Sequence, residues 1–165
     1  MYPISRVSSS ENDELLGRIS AAIESIDCSE YFSAHLGKGQ SEQKILVSEF
    51  QKAIFEKLKV EIPCIKWEIE HRPKSNSKDS IDIYGHFESI FIVIELDKHR
   101  ADQVAKKFVS RLAILPNEKV YFISLCYPGT QKMSKPETLK YFGYCAELAR
   151  RLGAVYSGFF VESKT

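Results

Sequence analysis

The 165-residue chain predicts an α/β domain, a mixed β-sheet flanked by helices. Three observations carry this. Apolar residues recur every three or four positions in some segments, and at a spacing of two or in short unbroken runs in others; the two kinds interleave along the chain. Three strand-like segments follow one another closely and can pair antiparallel, whereas a helical segment separates the third from the fourth and implies a parallel crossover. An apolar fraction of 44% can fill a core, and the length suits one unit, so residues 1–165 are read as a single domain.

The first helix is expected over residues 11–27, opened by Ser10 and Asp13 and carried by Leu15, Ile19, Ala22, Ile23 and Ile26. Ser41 opens a second over 42–59, with the stripe Leu46, Val47, Phe50, Ala53, Ile54 and Leu58, and Pro63 then breaks the chain. From Cys64 the period becomes two: Ile65, Trp67 and Ile69 alternate with Lys66, Glu68 and Glu70, as in a half-buried strand. The polar stretch 71–79 reads as a loop. Residues 80–84 and 87–96 read as strands joined by a tight turn at Gly85-His86, and the apolar run 91–94 suits a central strand covered on both faces. A third helix is expected over 98–112, with Ala101, Val104, Ala105, Phe108 and Leu112 buried. Residues 120–126 form the next strand. Ser134-Lys135-Pro136-Glu137 is a capping box for a helix that Gly153 stops, and residues 154–161 close the chain as a strand.

Composition removes several function classes. The net charge near +1 argues against a nucleic-acid binder driven by bulk charge, though not against a local basic patch. No apolar run approaches the roughly 18 residues of a membrane span. The first 13 residues are polar, without a signal-peptide core, so a soluble, cytoplasmic protein with no membrane partner is expected. Cys28, Cys64, Cys126 and Cys145 lie far apart with no CxxC pair, and His35, His71, His86 and His99 are scattered. Zinc spacing, a disulfide framework and Ser-His-Asp or Cys-His chemistry find no pattern here. Gly37-Lys38-Gly39-Gln40 lacks the spacing and preceding strand of a phosphate-binding loop.

The chemistry-bearing residues lie on the central hairpin. Asp82 sits between Ile81 and Ile83, its carboxylate turned away from the face those two are expected to share. Glu95 and Asp97 end the most apolar strand and, two apart, share one face. If the hairpin folds back, Asp82 approaches them. Three converging carboxylates are costly unless paired, protonated or bound to a cation, and hard oxygen ligands suit Mg²⁺ or Mn²⁺. Asp97 also fits a helix N-cap, because the third helix follows it directly. Lys98, His99 and Arg100, with Arg72, Lys74 and Lys78, form a basic group that either contacts phosphates or is a solvated surface.

The α-β-β-β-α-β order over residues 41–126 resembles the core of the PD-(D/E)XK nuclease superfamily, the restriction-endonuclease-like fold. An αβββαβ nuclease-like core then stands at 41–126, with residues 1–40 an N-terminal helical extension and an αβ extension at the C-terminal end. The resemblance implies a metal-dependent DNA endonuclease with Mg²⁺ or Mn²⁺ as cofactor. Asp82 and Glu95 would be metal ligands, Asp97 a further ligand or a water-positioning group, and Lys98 a nearby cation to steady charge on the phosphate. This sequence has Asp97 where the family usually has Lys, so the motif is an ExD variant, and Lys106 or Lys107 are migrated substitutes to consider. The helix acid of the family corresponds to Glu49 or to Glu42, and Gln103 is similar to a glutamine that some branches carry. Partners implied are DNA, a homodimeric copy and a protein that supplies targeting. A catalytically inactive nuclease-like module that binds nucleic acid or a protein is the competing reading.

Overall fold

The computed structural model describes residues 1–73 and 79–163. The elements run β1 (Tyr2–Ser8), α1 (Glu14–Glu24), α2 (Ser29–Phe32), α3 (Gln40–Glu61), β2 (Lys66–His71), β3 (Ile81–Phe87), β4 (Ile90–Lys98), α4 (Ala101–Ile114), β5 (Lys119–Tyr127), α5 (Lys135–Arg151) and β6 (Val155–Glu162), with a 3₁₀ turn at His35–Gly37. Among the described residues the strands form one six-stranded mixed sheet in the order β1-β6-β5-β4-β3-β2. The hairpins β2–β3 and β3–β4 are antiparallel, and β4, β5 and β6 run parallel through the α4 and α5 crossovers. The fold class is α/β, as the alternation of periods requires.

One face of the sheet is covered by α1 and α3, whose Leu16, Ile19, Ile23, Phe50, Ile54 and Leu58 pack on Ile83, Ile92, Ile94, Ile123 and Phe159. The other is covered by α4 and α5 through Val104, Phe108, Phe142 and Ala149 against Val93, Phe122 and Phe160. Consecutive residues of β4 thus alternate between two cores, which is why its run 91–94 is apolar throughout. Cys28, Cys126 and Cys145 are buried and Cys64 exposed, all as free thiols. Among the described residues no helix is long and apolar enough to cross a membrane.

Three expectations are corrected. Residues 1–40 are not only helical: β1 pairs antiparallel with β6 and makes an edge of the sheet. Its register slips between Ser5 and Val7, so the period of two is broken, and only Pro3 of the strand is buried. The helix α1 begins at Glu14, because Asp13 rather than Ser10 caps it, with Oδ1 accepting from the Leu16 amide at 2.9 Å. The hairpin turn lies at Glu88-Ser89, where Glu88 takes a left-handed φ of 50°, and not at Gly85-His86.

Gly85 instead lies inside β3, beneath the Trp67 ring on β2. A Cβ there would come within 2.8 Å of Trp67 Cζ3 and 3.0 Å of Ile65 Cγ2. Here a glycine permits close packing of a neighbouring strand rather than a turn. Gly85→Ala is expected to destabilise the protein by about 1–3 kcal/mol, because Trp67 is buried and cannot yield cheaply. A urea denaturation midpoint equal to that of the wild type would contradict this packing.

Candidate active site

The acidic residues meet where β3 and β4 part. Their ladder runs from Phe87 opposite Ile90 to Ile83 opposite Ile94 and ends there. Beyond it, the Leu96 amide donates to Asp82 Oδ2 at 2.7 Å. On the other side of Asp82 stands Glu70 of β2, whose left-handed φ of 52° interrupts that strand as well. The kink explains a departure from strict alternation: Ile81 packs on the α4 side and Ile83 on the α3 side, so they do not share a face. Gln51 of α3 braces the bend, donating from Nε2 to the Asp82 carbonyl at 2.6 Å and to Glu70 Oε1 at 3.0 Å.

On β4, Glu95 and Asp97 face α4, which presents Lys107 and, one turn later, Arg111. The Lys107 ammonium lies 3.0 Å from Glu95 Oε2, 3.0 Å from Asp97 Oδ2 and 3.6 Å from Asp82 Oδ2. It also reaches the Leu96 carbonyl at 3.4 Å. Arg111 donates from Nε to Glu95 Oε1 at 2.8 Å and from Nη2 to the Ser80 carbonyl at 2.8 Å. Glu95 is 2% exposed, and its Oε2, though within ion-pair range of Lys107, accepts no aligned hydrogen bond.

Three carboxylates here face two cations, which leaves one negative charge in a largely dry site. Burial, with the Asp82 charge beside it, pushes the Glu95 carboxyl up to about 8, against the opposing pull of Lys107 and Arg111. Asp97 is raised too, chiefly by burial, with Lys107 opposing. Burial disfavours the Lys107 ammonium, yet the carboxylates, Asp82 foremost, hold its pKa above the ordinary lysine value. The cluster therefore keeps a proton on Glu95 at neutral pH unless a further cation is supplied.

This fixes a pH dependence. Between the ordinary glutamate value near 4.5 and about 8 the folded chain holds the proton that the unfolded chain releases, so this group costs stability as pH rises through that window. His99 acts oppositely, being lowered to about 4 by burial and by Lys135, so its contribution is lost as pH falls below its ordinary 6.5. Glu95→Gln removes only the first effect. Its denaturation midpoint should gain on the wild type as pH rises from about 5 to about 9. A difference independent of pH would exclude a retained proton on Glu95.

The other sequence candidates go elsewhere. Asp97 does not cap α4; Arg100 holds the N-cap position. Lys98 turns to the opposite face, where Nζ donates to Gln43 Oε1 at 3.1 Å. There it lines a cleft of about 500 Å³ with Gln43, Val47, Gln51, Asp82 and Tyr127, so Asp82 borders both the cleft and the acidic cluster. Glu49 is exposed on another side of α3, beside Glu30 and Tyr31, and does not join the cluster. Glu42 accepts from the Gly39 amide at the start of α3. His99 packs edge-on against Phe160, and its Nε2 is buried without a hydrogen bond, so it is no surface cation. Arg100 is exposed and paired with Asp102 at 2.8 Å. Arg72 is exposed, Lys106 is exposed, and Lys74 and Lys78 lie outside the described residues.

Arg111 and Gln51 carry the site without having stood out as site residues in the sequence. The signal was present in each case: Val104, Phe108 and Arg111 fall on one stripe of α4, as Phe50, Gln51, Ile54 and Leu58 do on α3. A polar side chain at such a position must find a buried partner. Among the described residues, no group of three or more His, Cys, Asp or Glu side chains is arranged to hold a metal ion as it stands, and the Lys107 ammonium occupies the point of convergence. The donor set nevertheless suits a divalent cation: the oxygens are hard, a cation would take the place of the proton held on Glu95, and Glu95 Oε2 is unsatisfied.

Compared with protein-family models, with curated proteins and with solved structures, the chain matches none, and the chemistry of the site rests on its own geometry.

Proposed function

We propose that this chain is a metal-dependent phosphodiesterase acting on DNA, with a core of the restriction-endonuclease-like type formed by α3, β2, β3, β4, α4 and β5. The observation that carries the reading is the convergence of Asp82, Glu95 and Asp97 with Lys107 at the parting of β3 and β4. The element order agrees with the PD-(D/E)XK resemblance, and Lys107, from the following helix, supplies the ammonium that the motif lacks at Asp97. Asp82, Glu95 and Asp97 would hold Mg²⁺ or Mn²⁺, with Lys107 withdrawing along its flexible stem, whose side chain is 20% exposed. Such an ion, when bound, lowers the pKa of a water and offsets charge on a phosphate.

The protein's own part is orientation and charge. Lys107 follows the carboxylates closely enough to steady a phosphate oxygen beside them. Lys98, across the sheet in the cleft that Asp82 borders, offers a cation to a neighbouring phosphate of the same strand. The test is incubation with supercoiled plasmid and with a branched junction, in Mg²⁺, in Mn²⁺ and in EDTA. Nicking or cutting that needs the metal is expected, and no cleavage of either substrate under any condition overturns the reading.

A second reading, a non-catalytic nuclease-like module, is favoured by one observation: an ammonium already fills the place of a metal ion. Under it the protein would retain DNA without cutting it, and retention would weaken as salt rises.

A further inference from the structure

We infer that Arg111 is the positioning residue of this site, holding Glu95 by Oε1 and tying that oxygen to the start of β3, so that Oε2, without a hydrogen bond, faces the place a divalent cation would take beside Lys107. The inference rests on the phosphodiesterase reading. Arg111 is 6% exposed on a stripe of α4 that is otherwise core, anchored by Phe108, whose ring meets Phe122 and Tyr156 edge-on at 5.2 and 5.4 Å. A guanidinium in such a place costs stability unless its donors are used, and here they are. Nε donates to Glu95 Oε1, Nη2 to the Ser80 carbonyl and Nη1 to Ser110 Oγ at 3.1 Å, with Asp79 Oδ1 3.8 Å away.

The division of those bonds is informative. An arginine and a carboxylate frequently pair side by side, two nitrogens on two oxygens. Arg111 places one nitrogen on Glu95 and gives the second to the backbone of Ser80. Glu95 Oε2 is left with no hydrogen bond, directed at the point shared by Asp82, Asp97 and Lys107. Ser80 lies two residues before Asp82, so one rigid fork sets the separation of the two acid-bearing strands. Lysine has the charge but not the fork.

The experiment is Mn²⁺ binding to the full chain, without DNA, by titration calorimetry well below the melting temperature, for wild type, Arg111→Met and Arg111→Lys. Wild type is expected to bind Mn²⁺, and both variants to bind it about 10–100-fold more weakly, as for other partners that orient a ligand. A purely structural role would lower the melting temperature and leave the affinity of the folded protein unchanged. That result, in a folded Arg111→Met, overturns the inference while DNA cleavage by the wild type keeps the reading beneath it. Where Arg111→Met does not fold, unchanged affinity in Arg111→Lys has the same force. Wild type that neither binds Mn²⁺ nor cuts DNA overturns both.

Discussion

Glu95→Ala should reduce metal-dependent DNA cleavage by about 10³-fold or more, the largest effect expected of any single substitution here. Glu95 is the most buried of the acids, and its Oε2 is buried without a hydrogen bond. Removing it takes away a ligand, strips Arg111 of its closest carboxylate and leaves Lys107 with Asp82 and Asp97 alone. Glu49→Ala supplies the comparison, since that side chain is exposed away from the cluster and its loss should leave cleavage at the wild-type rate. Supercoiled plasmid converted at equal rates by wild type and Glu95→Ala would trace the activity to a contaminant.

Lys107→Met is expected to act on stability as strongly as on cleavage. It leaves Glu95 bonded to Arg111 and takes from Asp82 and Asp97 the cation they share, and breaking such a buried set costs about 3–5 kcal/mol. Because a fifth of the Lys107 side chain reaches solvent, the lower figure applies, a fall in Tm of roughly 6–12 °C for a chain of this size. The variant also separates the two functional readings. With the ammonium gone, Mn²⁺ no longer competes for the carboxylates and should raise the Tm of Lys107→Met more than that of the wild type. Equal increments would mean that these oxygens do not bind the ion. Lys106→Met, one residue away and exposed, should change neither quantity.

Much of the fold was legible because two solvents act on each element. Strands β4 and β5, covered on both faces, wrote unbroken apolar runs, and helices α3, α4 and α5, covered on one, wrote apolar stripes. β1 wrote none: it is an edge strand with a bulge, mostly half-exposed, and its serines carry no period of two. The turn was misplaced because Gly85 answers to Trp67 on the neighbouring strand, a contact that sequence proximity does not register.

The site was legible in its acids and less so in its cations. Spacing of two put Glu95 and Asp97 on one face, and the hairpin brought Asp82 to them. Lys98, adjacent to the acids in sequence, faces away from them because a strand alternates. Lys107 arrives from a helix whose buried stripe, Val104 and Phe108, was legible, whereas the part of the sheet that stripe would meet was not. Arg111 and Gln51 resembled ordinary polar positions until their stripes were followed around the helix.

The pairing of β1 with β6 bears on how the chain is made. Tyr2 finds its partner in Glu162, and Ser8 in Ser157, so β1 leaves the ribosome well before the strand it pairs with. The β2–β3–β4 hairpins close over short distances and can form early, while β1 stays without its strand partner until β6 has emerged. Its serines and its arginine are then protective during that interval, discouraging pairing with the same strand on a neighbouring nascent chain.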